Sequence, residues 1–156
     1  MFRRKALAAN AARMAEILND IIAIGGTTAH EHPLSPAEIA PHFIEGLGVE
    51  TCVLAENAGR VLGWQSLALW QEDLHIGTFV RPALQANGLA TGLFAATRDA
   101  ARARGLTQMI AHIRADNAPG LACYARLGFS DIGEDPGCAL GNETVVGRID
   151  RRFNLV

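Results

Sequence analysis

The stretch Leu74-His75-Ile76-Gly77-Thr78-Phe79-Val80-Arg81-Pro82-Ala83-Leu84-Gln85-Ala86-Asn87-Gly88-Leu89-Ala90 decides the fold. Its first half alternates, with Leu74, Ile76, Thr78 and Val80 on one side of a strand that Arg81-Pro82 stops. A short loop, Gln85 to Ala90, then feeds a helical pattern that opens near Ala90. Strand, small-residue loop and helix N-terminus together make an anion site. The N–H groups of the first turn have no partner within the helix, and the helix dipole favours negative charge there. Gly88 and Ala90 leave room for a phosphate beside the main chain. The loop fits a phosphorylated cofactor, although on local sequence alone an ordinary strand-to-helix turn reads equally well. No Lys-Ser or Lys-Thr follows the glycine, which excludes a P-loop, and the dinucleotide pattern of three spaced glycines is missing.

The 156 residues suit a single domain, 1–156, with a sizeable core, and the 49% hydrophobic and 19% charged composition is that of an ordinary globular chain. A net charge of −2 gives no basic field for nucleic acid. Cys52, Cys123 and Cys138 lack metal-ligand spacing, and their odd number argues for reduced thiols rather than a disulfide framework. Met-Phe-Arg-Arg-Lys at the start has no apolar run behind it, so it does not read as a signal peptide. No stretch reaches the roughly 20 apolar residues of a membrane span. The expectation is a cytoplasmic protein with no membrane partner.

Outward from the deciding stretch, residues 2–6 read as a short strand. A helix follows, with Met14, Ile17, Leu18, Ile21 and Ile22 on one face, Asn10 as its cap and Gly25-Gly26 as its stop. Ser35-Pro36-Ala37-Glu38 opens a second helix with a capping box. Cys52 to Ala55 and Val61 to Trp70 read as a hairpin about the turn Asn57–Arg60, and Gln71-Glu72-Asp73 turns into the deciding strand. The helix after Gly88 carries Leu89, Leu93, Ala96, Ala100 and Ala103 on one face and ends at Gly105. Gln108 to Arg114 is a strand, Asp116 to Leu127 a helix closed by Gly128, and Phe129 onward and Glu143 to Ile149 two last strands. The order predicts one mixed α/β sheet.

Two motifs now stand in context. Gln85-Ala86-Asn87-Gly88-Leu89-Ala90 fits Gln/Arg-x-x-Gly-x-Gly/Ala, the pyrophosphate loop of the GNAT superfamily of N-acetyltransferases. Asp116-Asn117 with Tyr124-Ala125-Arg126-Leu127-Gly128-Phe129 fits that family's Asn…Tyr-x-x-x-Gly-Phe segment. The chain resembles this superfamily over nearly its whole length. The resemblance implies a single-domain GNAT fold: a mixed, mostly antiparallel sheet, helices on both faces and a splayed cofactor cleft. It implies acetyl-CoA as co-substrate, no metal, a small-molecule amine as acceptor and a homodimer. Gly63-Trp64-Gln65-Ser66-Leu67-Ala68-Leu69-Trp70 and the Thr27–Pro33 segment are similar to the phosphinothricin and methionine-sulfoximine N-acetyltransferases, which suggests an amino acid or its analogue.

That resemblance assigns cofactor contacts to Phe79, Val80, Gln85, Ala86, Asn87, Gly88, Leu89, Ala90, Thr91, Asn117 and Tyr124. It assigns acceptor contacts to Thr28, His30, Glu31, Trp64 and His75. The chain departs from it at several points. His75 stands where the group has a glutamate, the link after Trp70 is shorter, Ala29-His30 replaces an aromatic–polar pair, and the loop lacks its frequent arginine. Arg81 and Arg126 are candidates to restore that charge.

The reaction sets the remaining roles. An ammonium with a pKa of about 10 cannot attack a thioester until it loses a proton. A histidine suits that task, so His75 is the first candidate for base and Glu72 the second. The resemblance implies that a backbone N–H near Val80 steadies the charge on the carbonyl oxygen and that Tyr124 protonates the leaving thiolate, with Asn117 orienting cofactor or hydroxyl. His30, Glu31 and His32 are adjacent and lack a fourth ligand, so they read as an acceptor loop and not a metal cluster. Two other readings stay open: a polyamine, aminoglycoside or protein N-terminus acceptor served by Glu31, Glu45, Glu72 and Asp73, or a non-catalytic acyl-CoA-binding module.

Overall fold

Among the described residues, seven strands and four α-helices build one sheet with helices on both faces. The computed structural model describes residues 2–85, 87–139 and 145–156. Ala86, the first two residues of the expected last strand (Glu143 and Thr144) and the side chain of Cys138 lie outside the described residues. The strands are β1 (Phe2–Lys5), β2 (Val49–Asn57), β3 (Arg60–Trp70), β4 (Asp73–Val80), β5 (Gln108–Arg114), β6 (Ser130–Ala139) and β7 (Val145–Asn154). The helices are α1 (Ala11–Ile24), α2 (Pro36–Ile39), α3 (Leu89–Ala103) and α4 (Ala118–Leu127). Strand order is β1-β2-β3-β4-β5-β7-β6, with β4–β5 the one parallel pair among these neighbours.

Local signals place most of these ends. The N–H of Gly25 (φ 78°) bonds Ile21 O at 3.0 Å and closes α1. Ser35 N–H donates to the Glu38 carboxylate at 3.0 Å, half of the expected capping box, and α2 then widens into a π-helical turn over Ala40–Ile44. Asn10 precedes α1 but does not cap it with its side chain. A 3-10 turn over Ala8–Asn10 comes first, and Asn10 Oδ1 accepts instead from Leu7 N–H at 2.9 Å and Arg4 Nη1 at 3.2 Å.

The sheet faces carry different cores. On one, α1, α2 and the π turn pack Met14, Ile17, Leu18, Ile39 and Phe43 against Trp64 and Phe79. On the other, α3 and α4 cover Leu67, Ile76, Met109, Phe94 and Tyr124. The stripe of α3 differs from the expected one: Leu89, Leu93, Phe94, Thr97 and Ala101 are buried, whereas Ala103 is exposed. Phe94 is the largest apolar group on that helix, and burying it turns the helix away from the alanines.

The break in the sheet matters most. β4 and β5 pair only at His75 and Ile110, and the two strands part beyond that point. The main chain of Gly77–Val80 is paired with β3 on one side and has no strand pairing with β5 on the other. A fork opens toward the C-terminal ends of both strands, beside the N-terminus of α3. Among the described residues no helix is long and apolar enough to cross a membrane.

Candidate active site

At the mouth of the fork, Gly88 caps α3 with φ 77°, a left-handed geometry suited to glycine, and a Cβ there would meet open space. Asn87, Gly88 and Thr91 are exposed, so the first-turn N–H groups face outward. Gln85 Nε2 donates to Val80 O at 3.4 Å and ties the loop to the strand. Leu89 is turned inward, against Val53, Leu62 and Val80, so it contributes its main chain and not its side chain to any ligand. Ala90 is half-buried.

Of the expected replacement cations, Arg81 is engaged by other partners. Arg81 donates through Nε to Val61 O at 2.6 Å and faces Glu16 at 3.9 Å, while Arg126 lies exposed in the last turn of α4. Arg3 is the cation sequence reading missed. A Cβ on Gly92, one turn into α3, would fall 2.3–2.5 Å from the Arg3 guanidinium. Pairing of Arg3 with Ala55 brings the edge strand to that place, which no local motif reveals.

On the α3/α4 face, Tyr124 and Thr78 share a hydrogen bond of 2.8 Å, and Gln65 Nε2 donates to Thr78 Oγ1 at 2.9 Å. Burial pushes the Tyr124 phenol above its usual range, and the bond with Thr78 only partly opposes this. The hydroxyl therefore stays protonated at neutral pH. Thr78 was legible only as one more residue of an alternating strand. Asn117 caps α4: its Oδ1 accepts from Gly120 N–H at 3.0 Å, and its Nδ2 donates to Thr27 O at 3.2 Å.

The opposite face of the fork holds residues 27–33, the segment expected to meet the acceptor. Arg114 Nη1 donates to Thr28 O at 3.0 Å, and His30 N–H donates to Thr28 Oγ1 at 3.1 Å. The His30 ring lies 5.9 Å from Phe43 and 6.4 Å from Phe79, and burial, then the charge of His42, lowers its pKa. Glu31 is half-buried, on the side of Arg114. Trp64 corrects an expectation. It is fully buried beneath Phe79 (4.3 Å) and Phe43 (4.6 Å), so it supports the floor of the cleft without lining it.

At the root of the fork His75 and His112 stand 5.0 Å apart, and both approach Trp70, at 6.2 and 5.0 Å. His112 Nδ1 lies 2.6 Å from Asp150 Oδ1, which also accepts from Arg148 Nε at 2.8 Å. Burial works against ionisation of Asp150, but the hydrogen bonds from His112 and Arg148 hold its carboxyl below the usual range. Burial also pulls His75 down to about 4, helped by the nearby charges of His112, His30 and Arg148. Glu72 does not join this group: it is exposed on the β3–β4 turn, behind the closed end of the fork. Nor do the carboxylates converge, since Glu72 and Asp73 lie at that turn and Glu31 at the far end of β5.

Among the described residues no group of three or more His, Cys, Asp or Glu could hold a metal ion. Cys52 is buried and its thiol pushed up to about 12, and burial also raises Cys123. Neither has the setting of a nucleophile.

A sheet forked between two parallel strands, with an open helix N-terminus at its mouth, forms a cleft between the two core faces. Residues 14–129 match the model of the acetyltransferase (GNAT) family, and the chain belongs to that family. It is therefore an acetyltransferase. It is 33% identical over 130 residues to the L-methionine sulfoximine/L-methionine sulfone acetyltransferase of Pseudomonas aeruginosa, covering 77% of this chain and 74% of that protein. The fold matches a phosphinothricin acetyltransferase from Sinorhizobium meliloti in complex with acetyl-CoA, with a TM-score of 0.83 at 20% identity over 98% of this chain and 87% of that one. It also matches the ribosomal-protein-S18-alanine N-acetyltransferase from Escherichia coli, with a TM-score of 0.77 at 17% identity over 99% and 93%.

Proposed function

We propose that this protein transfers the acetyl group of acetyl-CoA to the primary amine of an amino acid or amino-acid analogue, by direct attack within a ternary complex. The observation that carries this reading is the fork itself. Its two faces present a protonated phenol, Tyr124, and a pair of histidines, His75 and His112, on either side of an unpaired strand edge. Resemblance to the methionine sulfoximine acetyltransferase, whose named acceptors are amino-acid analogues, supports the acceptor class.

Each residue then has a task the chemistry requires. Asn87, Gly88 and Thr91 offer outward main-chain and side-chain donors to a pyrophosphate, and the α3 dipole with Arg3 adds positive charge. Acetyl-CoA supplies the electrophilic thioester carbon. The unpaired N–H groups of Gly77–Val80 receive its carbonyl oxygen as negative charge builds there, in a site from which the aromatic floor keeps water. Tyr124 gives its proton to the departing thiolate. A base at the root of the fork takes the ammonium proton, and the loop from Thr27 to Pro33 closes over the acceptor. A homodimer and a cytoplasmic location complete the reading.

The test is a comparison of acceptors. Methionine sulfoximine, phosphinothricin, ordinary amino acids, spermidine and a short peptide are offered with acetyl-CoA, and kcat/KM is read from thiol release. The reading expects the amino-acid analogues to lead by at least about tenfold. A lead by spermidine or the peptide overturns the acceptor class.

A further inference from the structure

We infer that His112, held by Asp150, takes the proton from the acceptor ammonium, and that its neighbour His75 does not. This inference rests on the proposed reaction and names its proton acceptor. His112 lies on β5 two residues beyond the last β4–β5 pair, where the fork opens. Asp150 sits opposite it on β7 and approaches Nδ1 at 2.6 Å. An ionised carboxylate only accepts, so Nδ1 carries a hydrogen, and in the neutral ring the lone pair is on Nε2. That Nε2 is buried and has no hydrogen-bond partner among the described residues. A buried acceptor left unpaired is uncommon, and here it is held at the point where an ammonium must lose a proton.

The surroundings fit one proton at a time. Arg148 on β7 bonds Asp150 through Nε (2.8 Å) and Nη2 (3.3 Å) and fixes its orientation. From β4 comes His75, uncharged near neutral pH, with His30 of the acceptor loop acting on it in turn. From β3 comes Trp70, edge-on at 5.0 Å and 44% exposed, as the cover between the pair and solvent. The amine reaches Nε2 past that ring or through one water. The protons balance. An N–H bond of the ammonium breaks, its electron pair stays on nitrogen, and the proton binds Nε2 and later leaves to solvent. The second proton, lost as the amide forms, offsets the one that Tyr124 gives the thiolate. Asp150 is a positioning residue: it sets the tautomer and steadies the imidazolium.

His112→Gln should lower kcat by about 10²–10³ at neutral pH, leave the acetyl-CoA Kd within threefold, and recover toward the parent rate as pH approaches the amine's own pKa. His75→Gln should keep kcat within about tenfold. Asp150→Asn should displace the acid limb of the kcat pH profile, which a loss of packing alone would not do. Retained kcat in His112→Gln, or a large loss confined to His75→Gln, overturns the inference. A second readout needs no acceptor: long-range ¹H–¹⁵N correlation of the histidine rings in the intact protein. It should show His112 protonated at Nδ1 and bare at Nε2, and the reverse tautomer overturns the assignment. A protein that releases no thiol with any amine yet shows the expected tautomer contradicts the proposed reaction and supports the dyad.

Discussion

Tyr124 and Arg3 divide the site between chemistry and binding. Tyr124→Phe keeps the ring among Ile76, Phe94 and Phe129 and removes only the hydroxyl that Thr78 holds. Turnover should fall about 10²–10⁴-fold while calorimetry finds the acetyl-CoA Kd almost unchanged. Arg3→Ala should do the opposite: a Kd for acetyl-CoA raised several-fold with kcat under saturation preserved, because its guanidinium lies against the first turn of α3 and far from the fork's root. Equal loss of both parameters in either variant would contradict this division. Tyr124 and Gly88 were legible because their meaning is local, a hydroxyl or a positive φ at a fixed place beside a helix end. His112 and Asp150 were not. They are 38 residues apart, and only the pairing of β5 with β7 makes them neighbours. Arg3 was hidden for the same reason, at the other edge of the sheet.

The elements around the fork owe their precision to close main-chain contact. Gly63 on β3 faces Val80, and a Cβ there would stand 2.8 Å from Phe79 O and 3.1 Å from Val80 Cα. Both obstacles are main chain and cannot swing aside. Gly63→Ala should therefore push β3 from β4 and cost about 1–3 kcal/mol, read as a lower denaturant midpoint, with weaker acetyl-CoA binding because Phe79–Val80 forms the cleft wall. An unchanged midpoint would mean the strands have slack at this point. Element type followed from periodicity and turn residues: among the described residues the strands and helices lie close to where alternation, capping and glycine stops put them, except that β7 runs on to Asn154, past the expected end at Ile149. Which face of α3 turns inward did not follow, because Phe94 and Thr97 compete with an equally regular run of alanines. Trp64 was misread for a related reason. Alternation gives the side of β3 it occupies, but only the packing of Phe43 and Phe79 says that it lies beneath the cleft floor.

For the molecule as a whole, buried histidine couples stability to pH. His75 is near 6.5 when unfolded and about 4 when folded. Between those values the unfolded chain binds more protons, so stability is complete above about 6.5 and is lost as pH falls toward 4. The span amounts to about 3 kcal/mol, and His30, lowered in the same direction, adds to it. Thermal unfolding should show a steep fall in Tm between pH 6.5 and 4 that His75→Asn flattens. An identical slope in the variant would mean that the acid-sensitive groups lie elsewhere. The topology was legible as one mixed sheet, but the length of the β4–β5 contact was not, since a single pair and a full ladder have the same alternating sequence. That one pair makes the cleft on which the functional account depends. The most direct test is to titrate acetyl-CoA into the protein by calorimetry and then follow thiol release in the same sample on adding methionine sulfoximine. The account predicts saturable one-to-one binding and thiol release that depends on the amine, with an acetylated product of matching amount. Absence of binding, or binding with no amine-dependent release from any acceptor offered, would contradict it.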